Sequence, residues 1–199
     1  SVDFYNNQVK KYIEARNKKK SLKVLDFVDR DPKKFSWDRA QRNDAEKGKT
    51  YSFSTSANRP GIYRPFVKQW MYFHRDFNNC VYQQPKLFPT KKQDNIVICV
   101  SGVGVTKAFS TIITDTLPDL ELIGKSQCFP LYYYEEAEKE QASLFDKSIS
   151  QYNRRDGVTD FIHKQARIIY GPKVTKEDIF YYVYGLLHSP EYRTRYSAD

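Results

Sequence analysis

The 199-residue chain contains one methionine, three cysteines and three histidines. Cys80, Cys99 and Cys128 are odd in number and unclustered, which argues against a disulfide framework and against a cysteine-rich zinc site. A reduced, cytoplasmic compartment is expected. His74, His163 and His188 stand far apart without HExxH-type spacing, so they read as surface or hydrogen-bonded structural histidines. No apolar run approaches the roughly 20 residues of a membrane helix, and no signal-peptide pattern opens the chain. The first residue is Ser1, the sole methionine is Met71, and a new helical segment at Ser189-Pro190-Glu191-Tyr192 stops at Asp199. A piece of a longer polypeptide is therefore expected.

Familiar catalytic machinery is also missing. Ser101-Gly102-Val103-Gly104-Val105-Thr106-Lys107 follows a strand signal but lacks the third glycine of a dinucleotide fingerprint. It also lacks the glycine before Lys107 that a P-loop requires. A tight turn using positive φ is the better reading, although backbone N–H groups, Ser101 and Lys107 could still grip a phosphate. Pro118-Asp119 begins a two-carboxylate nuclease pattern, but no acid-x-Lys follows it; Asp31-Pro32-Lys33 lies upstream. No Asn/Asp-Pro-Pro-aromatic turn holds an adenine amino group, and no G-x-S-x-G elbow occurs. By itself the chain reads as a non-enzyme.

What is present is aromatic and basic. Aromatic residues make up 16% and hydrophobic residues 40%, enough apolar surface to exclude a disordered polyelectrolyte. The formal net charge is +9, which makes nucleic acid a candidate partner. That charge is uneven: residues 1–49 carry +6, residues 50–132 carry +4, and residues 133–199 carry −1. Lys18-Lys19-Lys20 reads first as a solvated helix end.

Residues 2–19 show helical spacing of Phe4, Val9, Tyr12 and Ile13. Residues 36–48 suggest a short helix with Ser36 as N-cap and Gly48 as stop. Strand signals dominate residues 50–134, where Asn95 to Val100 reads as a strand buried on both faces. Polar residues 135–155 read as an irregular connection. Two helices follow, Thr159 to Tyr170 stopped by Gly171-Pro172, and Lys176 to His188 behind a Thr175/Asp178 capping box. The predicted fold class is α+β: a central mixed β-sheet over about residues 50–134, flanked by N-terminal helices and two C-terminal helices.

The densest binding signal is Arg59-Pro60-Gly61-Ile62-Tyr63-Arg64-Pro65-Phe66-Val67-Lys68-Gln69-Trp70. Its prolines stiffen a stretch that can present Arg64 and Lys68 with little entropy to lose. Arginine can contact guanine bidentately or clamp phosphate, whereas lysine supplies a point charge. Gln83-Gln84 and Asn78-Asn79 carry amides suited to adenine edges. Most tyrosine, phenylalanine and tryptophan side chains are expected in the core, with Tyr181, Tyr182 and Tyr184 assigned to packing.

Several blocks then resemble one family. They include Asp3-Phe4-Tyr5-Asn6-Asn7-Gln8-Val9, Arg59-Pro60-x-x-Tyr63-Arg64-Pro65-Phe66, Val81 to Pro89 (VYQQPKLFP) and Asn95 to Gly104 (NIVICVSGVG). Leu117 to Tyr132 and Glu177 to Arg193 extend the series, so the blocks run in order over nearly the whole chain. They resemble the C-terminal target recognition domain of Type ISP single-polypeptide restriction–modification enzymes, often labelled helicases. The resemblance implies a bacterial parent with a nuclease, a helicase-like ATPase and an adenine-N6 methyltransferase, using ATP, Mg2+ and S-adenosylmethionine. It implies no cofactor for this fragment, and it implies duplex DNA and the remaining parent domains as partners, with no membrane. Residues 1–20 would be a trailing methyltransferase or linker helix, and 21–199 a recognition domain truncated at its end. Candidate DNA contacts, drawn from charge and context, are Arg59, Arg64, Lys68, Lys86, Lys91, Lys92, Ser101 and Lys107, then Arg39 and Arg42. The alternative is a structural coupler between methyltransferase and motor that hardly touches DNA.

Overall fold

A helix with apolar residues on one stripe must bury that stripe. Val2–Lys18 (α1) does so through Val2, Tyr5, Val9 and Tyr12. The computed structural model describes residues 1–78, 81–137 and 151–196. The chain divides into two compact units: Ser1–Asn58 with Tyr72–Val81, and Arg59–Met71 with Tyr82–Asp199.

The first unit is built around α1 and Arg39–Glu46 (α2). Its core joins the α1 stripe to Val24, Val28, Phe35, Ala45 and Tyr51. Tyr5 stands at the centre of an aromatic cluster. Its ring lies 4.8 Å from Tyr51, 5.5 Å from both Phe35 and Trp37, and 5.7 Å from Phe77. Burial pushes the Tyr5 phenol up to about 12, so it stays a neutral donor, reaching the Lys49 carbonyl at 3.2 Å. The side-chain amide of Asn6 imitates a strand partner: it donates to the Tyr51 carbonyl at 2.7 Å and accepts from the Tyr51 N–H at 2.9 Å. Helix α2 begins later than its sequence suggests, with Asp38 rather than Ser36 at the N-cap. Gly48 follows its end at φ +72°. Lys18, Lys19 and Lys20 are exposed at the end of α1, as a solvated terminus should be.

Among the described residues the second unit carries eight strands in all but their outermost residues: Asn58–Arg64 (β1), Val67–Tyr72 (β2), Val97–Val100 (β3), Thr111–Thr114 (β4), Leu117–Pro118 (β5), Gln127–Pro130 (β6), Tyr132–Glu136 (β7) and Tyr152–Asp156 (β8). It also carries the helices Gln84–Leu87 (α3), Asp160–Tyr170 (α4), Lys176–His188 (α5) and Pro190–Arg195 (α6). The α+β class holds, but the strands form three small sheets rather than one central sheet: β2-β1-β5, β4-β3-β6 and β7-β8. Only the first is mixed, through the parallel pairing of Gly61 with Leu117 and Ile62 with Pro118.

Strand β3 is central and buried at Val97, Ile98 and Cys99, as its continuous apolar run predicts. It is antiparallel to both β4 and β6. Phe180, Tyr184 and Leu187, one stripe of α5, pack on Ile98 and Leu131. Full burial of a ring such as Phe180 contributes about 1.5–3 kcal/mol. Thr159 caps α4 and the Thr175/Asp178 box caps α5. Tyr184 packs as expected, but Tyr181 and Tyr182 are exposed. The expected irregular connection is also corrected: β7 and β8 form an antiparallel ribbon pairing Tyr132 with Asp156 through Glu136 with Tyr152. Residues 138–150 lie outside the described residues. Cys99 and Cys128, separate in sequence, are cross-strand partners with their sulfurs 3.6 Å apart; Cys80 lies outside the described residues.

One buried amide holds three of these elements. Asn95 donates to the carbonyls of Leu87 at 2.7 Å and Tyr132 at 2.6 Å, and its Oδ1 accepts the Tyr132 N–H at 3.1 Å. Removing it strands several buried backbone groups, each costing about 1–3 kcal/mol. We expect Asn95→Ala to lower stability by at least about 3 kcal/mol in urea titration, with Asn95→Asp intermediate because only its acceptor survives. In the first unit, Tyr51 donates to the Asp44 carboxylate, and this bond, aided by Lys49, holds that carboxyl below its ordinary range. The stabilisation is complete above about pH 4 and fades as pH falls through the lower folded value. Unfolding midpoints measured from pH 6 to pH 3 should fall less steeply in Asp44→Asn than in the wild type.

Candidate nucleic-acid interface

Proline fixes φ near −65°, which suits the second position of a tight turn. Pro65 occupies it, and Phe66 follows at φ +65° between β1 and β2. A bulky residue in the left-handed region is strained by about 1–3 kcal/mol, where glycine or asparagine would be at ease. The hairpin also leaves its aromatics in solvent. Phe66 is 92% exposed, Trp70 71% and Tyr63 45%. The expectation that most rings are core does not hold for these three, because the outer hairpin is uncovered on both faces: Val67 to Trp70 are exposed in succession.

Cations sit among these rings. The Arg64 guanidinium lies 3.9 Å from the centre of the Tyr63 ring and 3.4 Å from Asp119. Lys68 pairs with Asp115 at 2.6 Å, both more than half exposed. Lys91 reaches over Trp70 at 5.3 Å from a neighbouring loop. Exposed pairs of this kind are weak, so their lysines and arginine can be recruited by a stronger anion.

Arg59 differs from these. Its guanidinium donates to the Phe88 carbonyl and, at 2.5 Å, to the Pro89 carbonyl, and burial depresses its pKa. It clamps the base of β1 to the loop that presents Lys91. Arg59 and Lys91 also line a cleft of about 530 Å³ with Asp115, Tyr132, Arg154 and Glu177. There Arg154 stacks 4.2 Å from the Tyr132 ring, and the Tyr132 hydroxyl donates to Glu177 at 2.6 Å. That bond holds the Glu177 carboxyl below its ordinary value and raises the Tyr132 phenol. Among the described residues no group of three or more His, Cys, Asp or Glu side chains could hold a metal ion.

The remaining candidates are distributed. Lys86 is exposed on α3, and Lys92 is exposed beside Lys91. Ser101 closes the β3–β4 loop: its Oγ accepts the Ser110 N–H at 2.8 Å, and its N–H reaches the Ser110 carbonyl at 3.0 Å. In that loop Gly104 has the expected positive φ of 76°. Gly102 serves another need, since a Cβ there would lie 2.0 Å from the Lys125 carbonyl oxygen. Lys107 is exposed on the same loop. Arg39 and Arg42 lie on α2 in the first unit. Gln84 donates to the Pro118 carbonyl at 2.7 Å and Asn78 accepts the His74 N–H at 2.7 Å, so both amides serve the fold; Asn79 lies outside the described residues. Sequence reasoning misses Arg154 and the near-complete exposure of Phe66. For Arg154 the only signal is the tyrosine-basic pairing that recurs in Tyr152-Asn153-Arg154-Arg155.

Residues 2–199 match the family model described as the Type ISP C-terminal specificity domain. The chain belongs to that family of specificity domains. Its fold resembles that of the DrdV–DNA complex solved by cryo-electron microscopy, with a TM-score of 0.74 and 32% identity over 98% of this chain. It also resembles the ATP-dependent Type ISP restriction–modification enzyme LlaBIII bound to DNA, with a TM-score of 0.73 and 30% identity over 98% of this chain. A nuclease-deletion mutant of the Type ISP enzyme LlaGI, in complex with a DNA substrate mimic, gives 0.69 and 30% over 98%. This chain spans 17%, 11% and 13% of those three chains. No curated protein matches it.

The two kinds of arginine are separable by experiment. Arg59→Ala should cost about 2–3 kcal/mol in chemical denaturation, because two buried carbonyls lose a charged donor. Arg64→Ala, with an exposed pair, should cost less than about 1 kcal/mol.

Proposed function

We propose that this chain is the duplex-reading module of a larger bacterial ATP-dependent restriction–modification polypeptide. The observation that carries the reading is the exposed cation–aromatic hairpin of the second unit, in a domain whose solved relatives are DNA complexes. In this reading Arg64, Lys68, Lys91 and Lys92 meet phosphates, with Lys86 and Lys107 extending the contact along the backbone. Arg59 and Ser101 act by holding the hairpin and the β3–β4 loop in place. Arg39 and Arg42 would add contacts from the first unit. Phosphate contacts set position, and base edges or DNA shape supply the sequence information.

Within the parent, the module would place one adenine for flipping into an N6-methyltransferase pocket. An unmethylated site would license ATP-driven translocation and cleavage by the other domains, which would bring ATP, Mg2+ and S-adenosylmethionine. The chain's own part is recognition, without a catalytic group.

A second reading has one observation in its favour. Helix α4 has no buried residue, and Phe161, Ile168, Ile169 and Tyr170 are each 69% exposed. A coupler between parent domains would present such a face.

Duplex binding at two salt concentrations, with methylated, unmethylated and random sequences, separates the two readings. Recognition predicts affinity that falls steeply with salt. Lys68→Gln and Lys91→Gln should each weaken all sequences alike and reduce the salt slope by about 1. Binding that is absent or insensitive to salt would favour the coupler.

A further inference from the structure

We propose that Phe66 is an apolar wedge that enters a base step of bound duplex DNA, so that part of the site is read as the ease of unstacking that step. The inference deepens the recognition reading and rests on it. Among the described residues Phe66 is the most exposed large apolar side chain, at 92%, and its ring stacks on no other ring. Its backbone sits at φ +65°, where a phenylalanine is disfavoured and a glycine is not. A strained residue that contributes no packing to its own fold points to a use outside it.

The surroundings identify the occupant. The tip is stiffened by Pro65 and is only two residues wide, narrow enough to enter a groove as a two-stranded ribbon. Arg64 and Lys68 flank it in sequence, and Lys91 leans over Trp70 on the second strand of the same hairpin. An apolar protein surface would offer those cations no anion stronger than the weak, exposed pairs that Arg64 and Lys68 already make with Asp119 and Asp115. A base step offers stacked apolar faces bordered on both sides by phosphates, which matches a ring bordered by cations. Phenylalanine is among the side chains that partly unstack such steps and kink the duplex. Flexible pyrimidine–purine steps yield most easily, which converts insertion into sequence preference without a hydrogen bond to a base.

The test uses the 199-residue protein and a 30-base-pair mixed-sequence duplex with 2-aminopurine beside a single central TA step. A second duplex carries a mismatch at that step, already loosened. The wild type should brighten 2-aminopurine and bind the mismatched duplex roughly 10-fold more tightly than the intact one. Phe66→Gly should lose both effects while keeping the same salt slope. Its unfolding midpoint should equal or exceed that of the wild type, because glycine suits φ +65°. Phe66→Leu should retain part of the brightening. If Phe66→Gly binds and brightens like the wild type, the wedge is wrong, the recognition reading stands, and the tip faces protein. If no variant shows salt-sensitive duplex binding, the recognition reading fails and the wedge falls with it.

Discussion

The grip of Arg59 on the carbonyls of Phe88 and Pro89 is the contact on which the exposed face depends. Guanidinium is suited to it, since a planar fork can meet adjacent carbonyls with less loss of freedom than a lysine would suffer. One end of the bond is the root of the β1–β2 hairpin, and the other is the loop that delivers Lys91 to Trp70. A hairpin joined to its sheet only by backbone pairing would twist and fray at its tip. Tied at the root, it can hold a left-handed phenylalanine and a row of solvated rings in one arrangement. The cation buried at the base thus organises the cations at the rim.

Asn95 does for the sheets what Arg59 does for the hairpin. A side-chain amide carries two donors and an acceptor with two lone pairs, so a single residue can tie a helix end, a strand start and an adjacent strand together. This matters because, among the described residues, none of the three sheets has more than three strands. Sheets that small bury little surface of their own and need connections between them. Helix α5 covers one through Phe180, and Asn95 stitches the edge of another.

Elements governed by local chemistry were legible in the sequence. The Thr175/Asp178 box, the end of α4 at Gly171 and the buried β3 run each depend on residues a few positions apart. The Type ISP likeness was legible as well, because its blocks keep their order along the chain. Long-range pairing was not. Strands of two to seven residues carry too few alternations to choose a partner, so three sheets read as one. Tyr152–Asp156 is polar and mostly exposed, and nothing in its composition announces a strand until Tyr132–Glu136 lies beside it. Tyr181 and Tyr182 belong to a helix that is apolar on several sides, where periodicity cannot say which side is covered. In the β1–β2 hairpin, Phe66 and Trp70 have the composition of core residues. What exposes them is the absence of a layer over either face of the outer hairpin, where Val67 to Trp70 are exposed in succession, and pattern alone does not reveal that.

The pairing of Cys99 with Cys128 gives the molecule an internal gauge of its own breathing. The two thiols face each other across β3 and β6. The hydrogen bond with the Cys128 sulfur, reinforced by burial, raises the Cys99 thiol well above its ordinary value, so it is a poor nucleophile while the sheet is closed. Modification of that sulfur therefore waits for the strands to part, and its rate counts openings of the β4-β3-β6 sheet. A ligand on the outer face that stiffens the scaffold would slow the count without touching either sulfur. The motion of the core is in this way written into a reaction that the surface does not share.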